Sequence, residues 1–123
     1  KVPLTEIVEQ LRRAAPEKRL VAEATSFESA VELAVAGFDV IQAEKFTPAE
    51  IGALVVRMKA MSSVWNRPIV AAAGGVNAGN VAAYAQAGAD IVVTSAPYLA
   101  KPCDVQVRIA PAGVESRAII EAA

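Results

Sequence analysis

The sequence predicts an α/β protein in which parallel strands alternate with helices, as in one part of a β/α barrel. Four short apolar segments are separated by segments with helical periodicity, and this alternation favours parallel strands joined by right-handed crossovers. Two stretches, 34–41 and 84–91, also echo each other, because in both a helix ends at glycine and an aspartate precedes an apolar strand. Repetition of this unit is typical of a β/α barrel, although a doubly wound sheet has the same local pattern.

Four helices and four strands are predicted to alternate over residues 5–94. The helices are expected over residues 5–14, 26–36, 48–61 and 77–87, with the capping residues included in the second and fourth. The strands are expected over residues 19–24, 38–43, 68–72 and 89–94. A short terminal strand at 104–109 and a last helix at 114–121 complete the prediction.

Capping residues mark where the helices begin. Ser26 and Asn77 have side chains that accept hydrogen bonds from a first helical turn. Thr47 is followed by a proline at the first helical position and by Glu50 at the third, so the cap has a reciprocal acidic partner. Glycine follows the second and the fourth predicted helix, where a left-handed backbone conformation ends a helix.

Composition limits the classes of function. The 123 residues suffice for one domain, and 54% hydrophobic with 20% charged residues is typical of a globular chain. A net charge of −1 gives no field that attracts nucleic acid or an anionic membrane, and no apolar run is long enough to span a bilayer. The absence of histidine excludes histidine-based catalysis and histidine metal sites from this segment. A single cysteine, Cys103, fits a reducing environment, so we expect a cytoplasmic protein.

The chain opens without an initiator methionine, inside a segment with helical periodicity. We therefore expect residues 1–123 to form a single domain that is the C-terminal portion of a β/α barrel. The N-terminal domain and the first barrel units would then lie outside this chain. Such a portion would leave sheet edges and barrel-facing apolar side chains uncovered.

The pair Gly74-Gly75 is the strongest candidate for a ligand site. Ligands of β/α barrels and open α/β sheets lie at the C-terminal ends of strands, and this pair follows the third strand. Glycines let backbone N–H groups approach an anion closely, and the helix expected after Asn77 adds its N-terminal dipole. The alternative is a plain tight turn with Asn77 as the helix cap. The predicted phosphate-binding residues are Ala73, Gly74, Gly75, Thr94 and Ser95.

Two glutamates at neighbouring strand ends are the candidate catalytic residues. Glu23 and Glu44 are one β/α unit apart, so both are expected near the same end of the sheet. There they could bind Mg²⁺, accept hydrogen bonds from ribose hydroxyls or stabilise a cationic sugar. The alternatives are a buried ion pair for Glu23 and a solvated loop charge for Glu44. Lys45 either neutralises phosphate charge or is simply solvated.

Several segments resemble motifs of the quinolinate phosphoribosyltransferase family. Residues 21–26 are similar to its Glu-Val-Glu-Val-x-Ser strand, and Glu23 takes the place of the second, sugar-contacting glutamate. Residues 42–46 resemble its Leu-Leu-Asp-Asn-Phe segment. Residues 73–76, with the Asn-Val pair at 80–81, resemble Ser-Gly-Gly-Ile followed by Asn-Val. These similarities keep the same order over most of the chain.

The chain also departs from the family pattern. Ala71 replaces an acidic residue, and Glu44 stands where the family usually has aspartate. The segments Glu-Lys-Phe at 44–46 and Thr-Ser-Ala-Pro-Tyr at 94–98 resemble the ModD pyrophosphorylase-like branch. This resemblance implies the fold and the phosphoribosyl site, and it leaves the acceptor open.

The resemblance implies a glycosyltransferase of the phosphoribosyl type. It implies that phosphoribosyl pyrophosphate binds with its 5′-phosphate at the glycine pair, and that Mg²⁺ and the ribose hydroxyls lie at Glu23 and Glu44. The acceptor would be a nitrogen heterocycle such as quinolinate, or the protein would be ModD-like and linked to molybdenum transport. A homodimer is implied as well. The rival interpretations are another phosphate-binding barrel enzyme, an isomerase or lyase, and a non-catalytic nucleotide-binding subunit.

Overall fold

The computed structural model describes residues 2–61 and 67–103, together with Val105, Val107 and Ile109. The helices are α1 (Leu4–Ala14), α2 (Phe27–Ala36), α3 (Pro48–Met61) and α4 (Val81–Gln86). The strands are β1 (Val21–Ala24), β2 (Val40–Glu44), β3 (Ile69–Ala73) and β4 (Ile91–Val92). All four strands pair in parallel, in the order β1-β2-β3-β4. The predicted alternation and the predicted parallel pairing in chain order are confirmed.

The last strand differs most from its prediction, because β4 has two residues where 89–94 was expected. The amide of Val93 still donates to the carbonyl of Ala72 at 2.8 Å. Beyond Val93, the hydroxyl of Thr94 donates to the carbonyl of Val76, and this bond directs the chain toward the loop after β3. The terminal strand expected at 104–109 and the helix at 114–121 lie outside the described residues, apart from three residues that belong to no strand.

The expected helix start at Asn77 is wrong, because residues 77–80 form a separate turn and α4 begins at Val81. The side chain of Asn77 accepts a hydrogen bond from the amide of Gly79 at 2.9 Å, as in an Asx turn. The side chain of Asn80 closes the turn from its other end by accepting from the amide of Asn77 at 2.8 Å. The side chains of the two asparagines therefore accept from backbone amides within the turn, and the helix does not extend back to Asn77.

The other two caps are confirmed. Ser26 and Ser29 exchange hydrogen bonds between side chain and backbone at 3.1 and 3.2 Å, which closes the first turn of α2. Thr47 and Glu50 do the same at 3.3 and 2.7 Å before α3. In the part of the chain that the structure describes, no helix has both the length and the apolar composition of a membrane span.

The hydrophobic core lies between one face of the sheet and helices α2 and α3. Ile41 of β2 and Val70 of β3 are fully buried in one cluster with Leu54 and Met58 of α3. Registered residues of parallel strands point to the same side, and side chains alternate along each strand. The opposite face of the sheet therefore carries Val21, Glu23, Val40, Gln42, Glu44, Ile69, Ala71, Ala73 and Ile91.

Two aspartates join neighbouring strands at the edge where the strands begin. The carboxylate of Asp39 accepts from the amide of Leu20 at 2.7 Å, and the amide of Asp39 donates to the carbonyl of Leu20 at 2.9 Å. Asp90 makes the same pair of bonds with Val70, each at 2.9 Å. The Gly-x-Asp echo in the sequence therefore has a structural cause, since each aspartate aligns its strand with the one before it.

An arginine stabilises the charge of each aspartate. Arg12 lies 2.9 Å from Asp39, and Arg67 lies 2.5 Å from Asp90. The hydrogen bond from the arginine is the main cause that lowers the pKa of each aspartate, so both carboxyl groups are ionised at neutral pH. Both pairs lie at the N-terminal ends of the strands, where barrel residues contribute stability rather than catalysis.

Replacing Asp90 by asparagine conserves the shape of the side chain and removes the charge that pairs with Arg67. Because the pKa of Asp90 is lowered in the folded protein, its stabilisation is fully present above about pH 4 and is lost as the pH falls through the lowered pKa. We expect Asp90→Asn to lower the free energy of unfolding at pH 7 by about 1–3 kcal/mol. Below about pH 4 the variant should lose less additional stability than the wild type.

Urea denaturation at pH 7 and at several values below pH 4 measures both effects. Glu17→Gln is the matched control, because Glu17 forms an exposed pair with Lys18 at 3.9 Å and should contribute little. Equal sensitivity to acid in the wild type and in Asp90→Asn would contradict the prediction.

Candidate functional site

The C-terminal ends of the strands bring the two candidate glutamates to one side of the sheet. Glu23 of β1 is registered with Gln42 of β2, and Glu44 of β2 is registered with Ala73 of β3. Gln42 and Glu44 are two residues apart on one strand, so their side chains point the same way. Glu23, Gln42 and Glu44 therefore share the face opposite the helices.

An open cleft of about 450 Å³ lies beside these strand ends. It contains Glu23, Glu44 and Lys45, three of the residues that the sequence indicated. Phe27 and Phe46 give it apolar walls, and Phe46 is itself buried. The rest of the lining was not predicted as site residues: Thr25, Ser26, Phe27, Phe46 and Glu50. Ser26 and Glu50 were expected only as helix caps, while Thr25 and Phe46 lie in segments that resemble family motifs.

Neither candidate glutamate is neutralised by a neighbour among residues 2–61 and 67–103. Glu23 is exposed and Glu44 is partly buried, and neither forms a salt bridge or accepts a hydrogen bond from a described residue. The alternative of a buried ion pair for Glu23 is therefore not found within these ranges. Two unpaired carboxylates that face a cleft are free to accept hydrogen bonds from hydroxyl groups or to bind a cation.

A third carboxylate, Glu50, adds negative charge to the cleft. The amide and the hydroxyl of Thr47 donate to it at 2.7 and 2.8 Å, and these bonds lower its pKa. Glu50 therefore stays ionised, but its oxygen is already engaged in the helix cap. In the described part of the chain, no group of three or more side chains could hold a metal ion alone. Carboxylate oxygens are the ligands that Mg²⁺ prefers, so Glu23 and Glu44 fit as a partial site that a ligand would complete.

The chain makes a strained turn directly after Glu44. Lys45 has a φ of 60°, in the left-handed region that residues with a side chain seldom occupy. Its amide donates to the carbonyl of Ala73 at 2.8 Å, which holds the end of β2 against the end of β3. Such conformations persist only where the surroundings impose them, and they concentrate at ligand sites.

The two glycines of the predicted phosphate loop have similar backbones but different surroundings. Gly74 and Gly75 have φ values of 81° and 85°, which favour glycine. A Cβ atom added to Gly74 would lie 2.6 Å from Oε1 of Glu44, whereas one added to Gly75 would meet nothing within 4 Å. Their amides donate to no described residue. Gly75 therefore presents a free amide beside open space, as an anion site requires.

The carbonyl groups of this loop, in contrast, are held by side chains. The carbonyl of Gly75 accepts from the side-chain amides of Asn77 and Asn80 at 3.2 and 3.0 Å. The carbonyl of Val76 accepts from the hydroxyl of Thr94. Thr94 thus lies beside the glycine loop, as expected, but its hydroxyl already donates its hydrogen bond to the carbonyl of Val76. Ser95 is exposed, and its hydroxyl bonds to no described residue.

The predicted site residues therefore form two adjoining groups. Glu23, Glu44 and Lys45 line the cleft, while the phosphate-loop residues lie outside its lining. Glu44 connects the two groups, because its carboxylate lies over Gly74. Helix α4 has six residues and begins at Val81, so the helix that was expected to support an anion starts four residues later than predicted.

A sequence model of the quinolinate phosphoribosyl transferase C-terminal domain matches residues 2–108. The chain belongs to this family. Over 105 residues the chain is 35% identical to ModD of Escherichia coli O157:H7, a protein provisionally named as a pyrophosphorylase. The matched region covers 85% of this chain and 36% of that protein. ModD of Pasteurella multocida strain Pm70, named likewise, is 38% identical over 104 residues, 84% of this chain and 36% of that protein. The chain thus spans about a third of the length of these relatives.

A solved structure of the same family has a similar fold. The nicotinate-nucleotide pyrophosphorylase from Francisella tularensis matches with a TM-score of 0.61 and 16% identity, over 72% of this chain and 30% of that chain. At this identity the likeness concerns the fold. It confirms that the parallel strands and their helices correspond to the C-terminal part of the family's barrel.

Thr94→Val tests whether Thr94 holds the glycine loop, because valine conserves the shape and removes the hydroxyl. We expect the free energy of unfolding to fall by about 1 kcal/mol, the usual contribution of such a bond. The backbone of Gly75 and Val76 should become more mobile at the same time, which lower NMR order parameters would report. Ser95→Ala is the control and should change neither quantity. Unchanged order parameters in Thr94→Val would show that the hydroxyl does not restrain the loop.

Proposed function

We propose that the protein containing this chain is a phosphoribosyltransferase-type glycosyltransferase that uses phosphoribosyl pyrophosphate and a nitrogen-heterocycle acceptor such as quinolinate. The observation that carries the proposal is one arrangement at the strand ends. Two unpaired carboxylates, Glu23 and Glu44, face a cleft, and a glycine loop with free amides adjoins them through Glu44. The family to which the chain belongs and the pyrophosphorylase names of its relatives support the same reaction class.

Each half of the arrangement suits one part of a phosphorylated sugar. The free amides at Gly74 and Gly75 suit the 5′-phosphate, since bare N–H groups donate to anionic oxygens. Glu23 and Glu44 suit the ribose, because ionised carboxylates accept hydrogen bonds from hydroxyl groups. When the bond from the anomeric carbon to pyrophosphate breaks, positive charge develops on the sugar, and these carboxylates stabilise it electrostatically.

A divalent cation completes this proposal. Glu23 and Glu44 would hold Mg²⁺, which neutralises charge on the departing pyrophosphate. The heterocycle nitrogen then forms the new bond to the anomeric carbon. A homodimer, a cytoplasmic location and, for the ModD branch, a link to molybdenum transport belong to the same proposal. Size-exclusion chromatography of the complete protein tests whether it is a homodimer.

Gly75→Ala tests the phosphate loop. Its new methyl group would enter the open space beside the free amide, so binding of phosphoribosyl pyrophosphate should weaken on the order of tenfold or more. Gly37→Ala is the matched control, since Gly37 has a φ of 100°, lies at the end of α2 and also has room for a Cβ atom. Both variants incur similar backbone strain, but only the first should lose affinity.

Isothermal titration of the complete protein with phosphoribosyl pyrophosphate, ribose 5-phosphate and inorganic phosphate measures the loss. Equal affinities in Gly75→Ala and Gly37→Ala would remove the phosphate loop from the proposal. A wild-type protein that binds none of the three compounds would overturn the proposed function itself.

Glu23→Gln tests the carboxylates, because glutamine conserves the shape and removes the charge. We expect kcat/KM to fall roughly 5- to 150-fold, which corresponds to a loss of about 1–3 kcal/mol of transition-state stabilisation. Glu32→Gln, an exposed position on α2, is the control. Glu44→Asp, which restores the family's usual residue, should retain more activity than Glu44→Ala. If Glu23→Gln is as active and as stable as the wild type, Glu23 has no catalytic role.

A further inference from the structure

We propose that Gly74 is a positioning residue for the carboxylate of Glu44, so that the two glycines of the loop have different roles. This inference rests on the proposed function and deepens it. The amides of both glycines suit the phosphate end of the substrate, but the missing side chain of Gly74 also serves the ribose and metal end. The motif Gly-Gly alone does not distinguish these roles.

The first step is that the two glycines differ in the room around an added side chain and not in their backbone angles. Gly74 and Gly75 have φ values of 81° and 85°, so a side chain at either one is strained to a similar degree. A Cβ atom at Gly75 would meet open space. At Gly74 it would lie 2.6 Å from Oε1 of Glu44, 2.7 Å from Cγ of Lys45 and 2.8 Å from the amide nitrogen of Lys45. Only Gly74 is therefore in close contact with a candidate catalytic group.

The second step is that Glu44 has little else to hold it. Its side chain is partly buried, yet it forms no salt bridge and accepts no hydrogen bond from a described residue. Its backbone is fixed by registry with Ala73 and by the left-handed turn at Lys45. The place of the carboxylate is therefore set by packing, and the missing side chain of Gly74 provides the space that it occupies.

The third step concerns the consequence for the reaction. An added methyl group at Gly74 would displace the carboxylate of Glu44 and would also press on the amide nitrogen of Lys45. The carboxylate moves further than the backbone, because it is the end of a flexible side chain that can turn away. A carboxylate displaced by about 1 Å stabilises the developing charge poorly, and such a misplacement can reduce the rate up to about 100-fold. The phosphate end, which faces Gly75, should bind as before.

The test compares Gly74→Ala with Gly75→Ala in the complete protein, each alone and combined with Glu44→Asp. Gly74→Ala should lower kcat on the order of tenfold or more, with the KM for phosphoribosyl pyrophosphate little changed. Gly75→Ala should mainly raise that KM. Aspartate is shorter by one methylene, so its carboxylate clears the new methyl group. Glu44→Asp should therefore restore part of the kcat lost in Gly74→Ala and nothing in Gly75→Ala.

A crystal structure of Gly74→Ala without ligands gives a readout that needs no activity. We expect the carboxylate of Glu44 to move away from residue 74, and to move further than the backbone at residue 74 and at Lys45, whose amide nitrogen the new Cβ atom also approaches. If the loop moves and Glu44 does not, or if Glu44→Asp rescues neither variant, Gly74 only shapes the backbone and the inference is overturned. If the carboxylate moves but the wild type neither binds nor turns over phosphoribosyl pyrophosphate, the positioning role stands and the proposed function fails.

Discussion

Parallel registry of the four strands is the constraint on which the candidate site depends, and two aspartates hold its outer pairs, β1 with β2 and β3 with β4. Asp39 binds both backbone groups of Leu20, and Asp90 binds both backbone groups of Val70. A slip of one residue would move every side chain of a strand to the other face of the sheet. Glu44 would then point into the helix-packed core, where an unpaired carboxylate is very costly. Bonds at the N-terminal edge of the sheet thus decide which groups face the cleft at the other edge.

The same registry explains why core and site occupy opposite faces. Ile41 and Val70 pack against α3 on one face, while Glu23, Gln42 and Glu44 share the other. Burial on the helix side fixes the position of the strands, and the polar side chains contribute little to that packing. The site can therefore vary in side-chain length, as the change from the family's aspartate to Glu44 indicates, without loss of the fold.

At the C-terminal edge, two loops depend on each other. The left-handed turn at Lys45 is held by a hydrogen bond to Ala73, and the glycine after Ala73 leaves room for the carboxylate of Glu44. Backbone strain at Lys45, on the order of 1 kcal/mol, lies where the proposed ligand binds, and glycine at positions 74 and 75 avoids the same strain. The hydrogen bonds from Asn77, Asn80 and Thr94 hold the carbonyl side of the same loop and leave its amide side open.

Local patterns in the sequence determined the α/β alternation, the three longest helices to within a residue or two, and the strand ends at which Glu23, Glu44 and Gly74 lie. These features follow from periodicity and from caps such as Ser26 and Thr47, which act within a few residues along the chain. Tertiary structure alone decided the short fourth strand, the separate turn at Asn77, the engagement of Thr94 and the contact between Glu44 and Gly74. Each of these depends on groups that are distant in sequence or on a competition between hydrogen-bond partners. A pattern of residue types shows which groups are available, but only packing across neighbouring strands decides which of them meet.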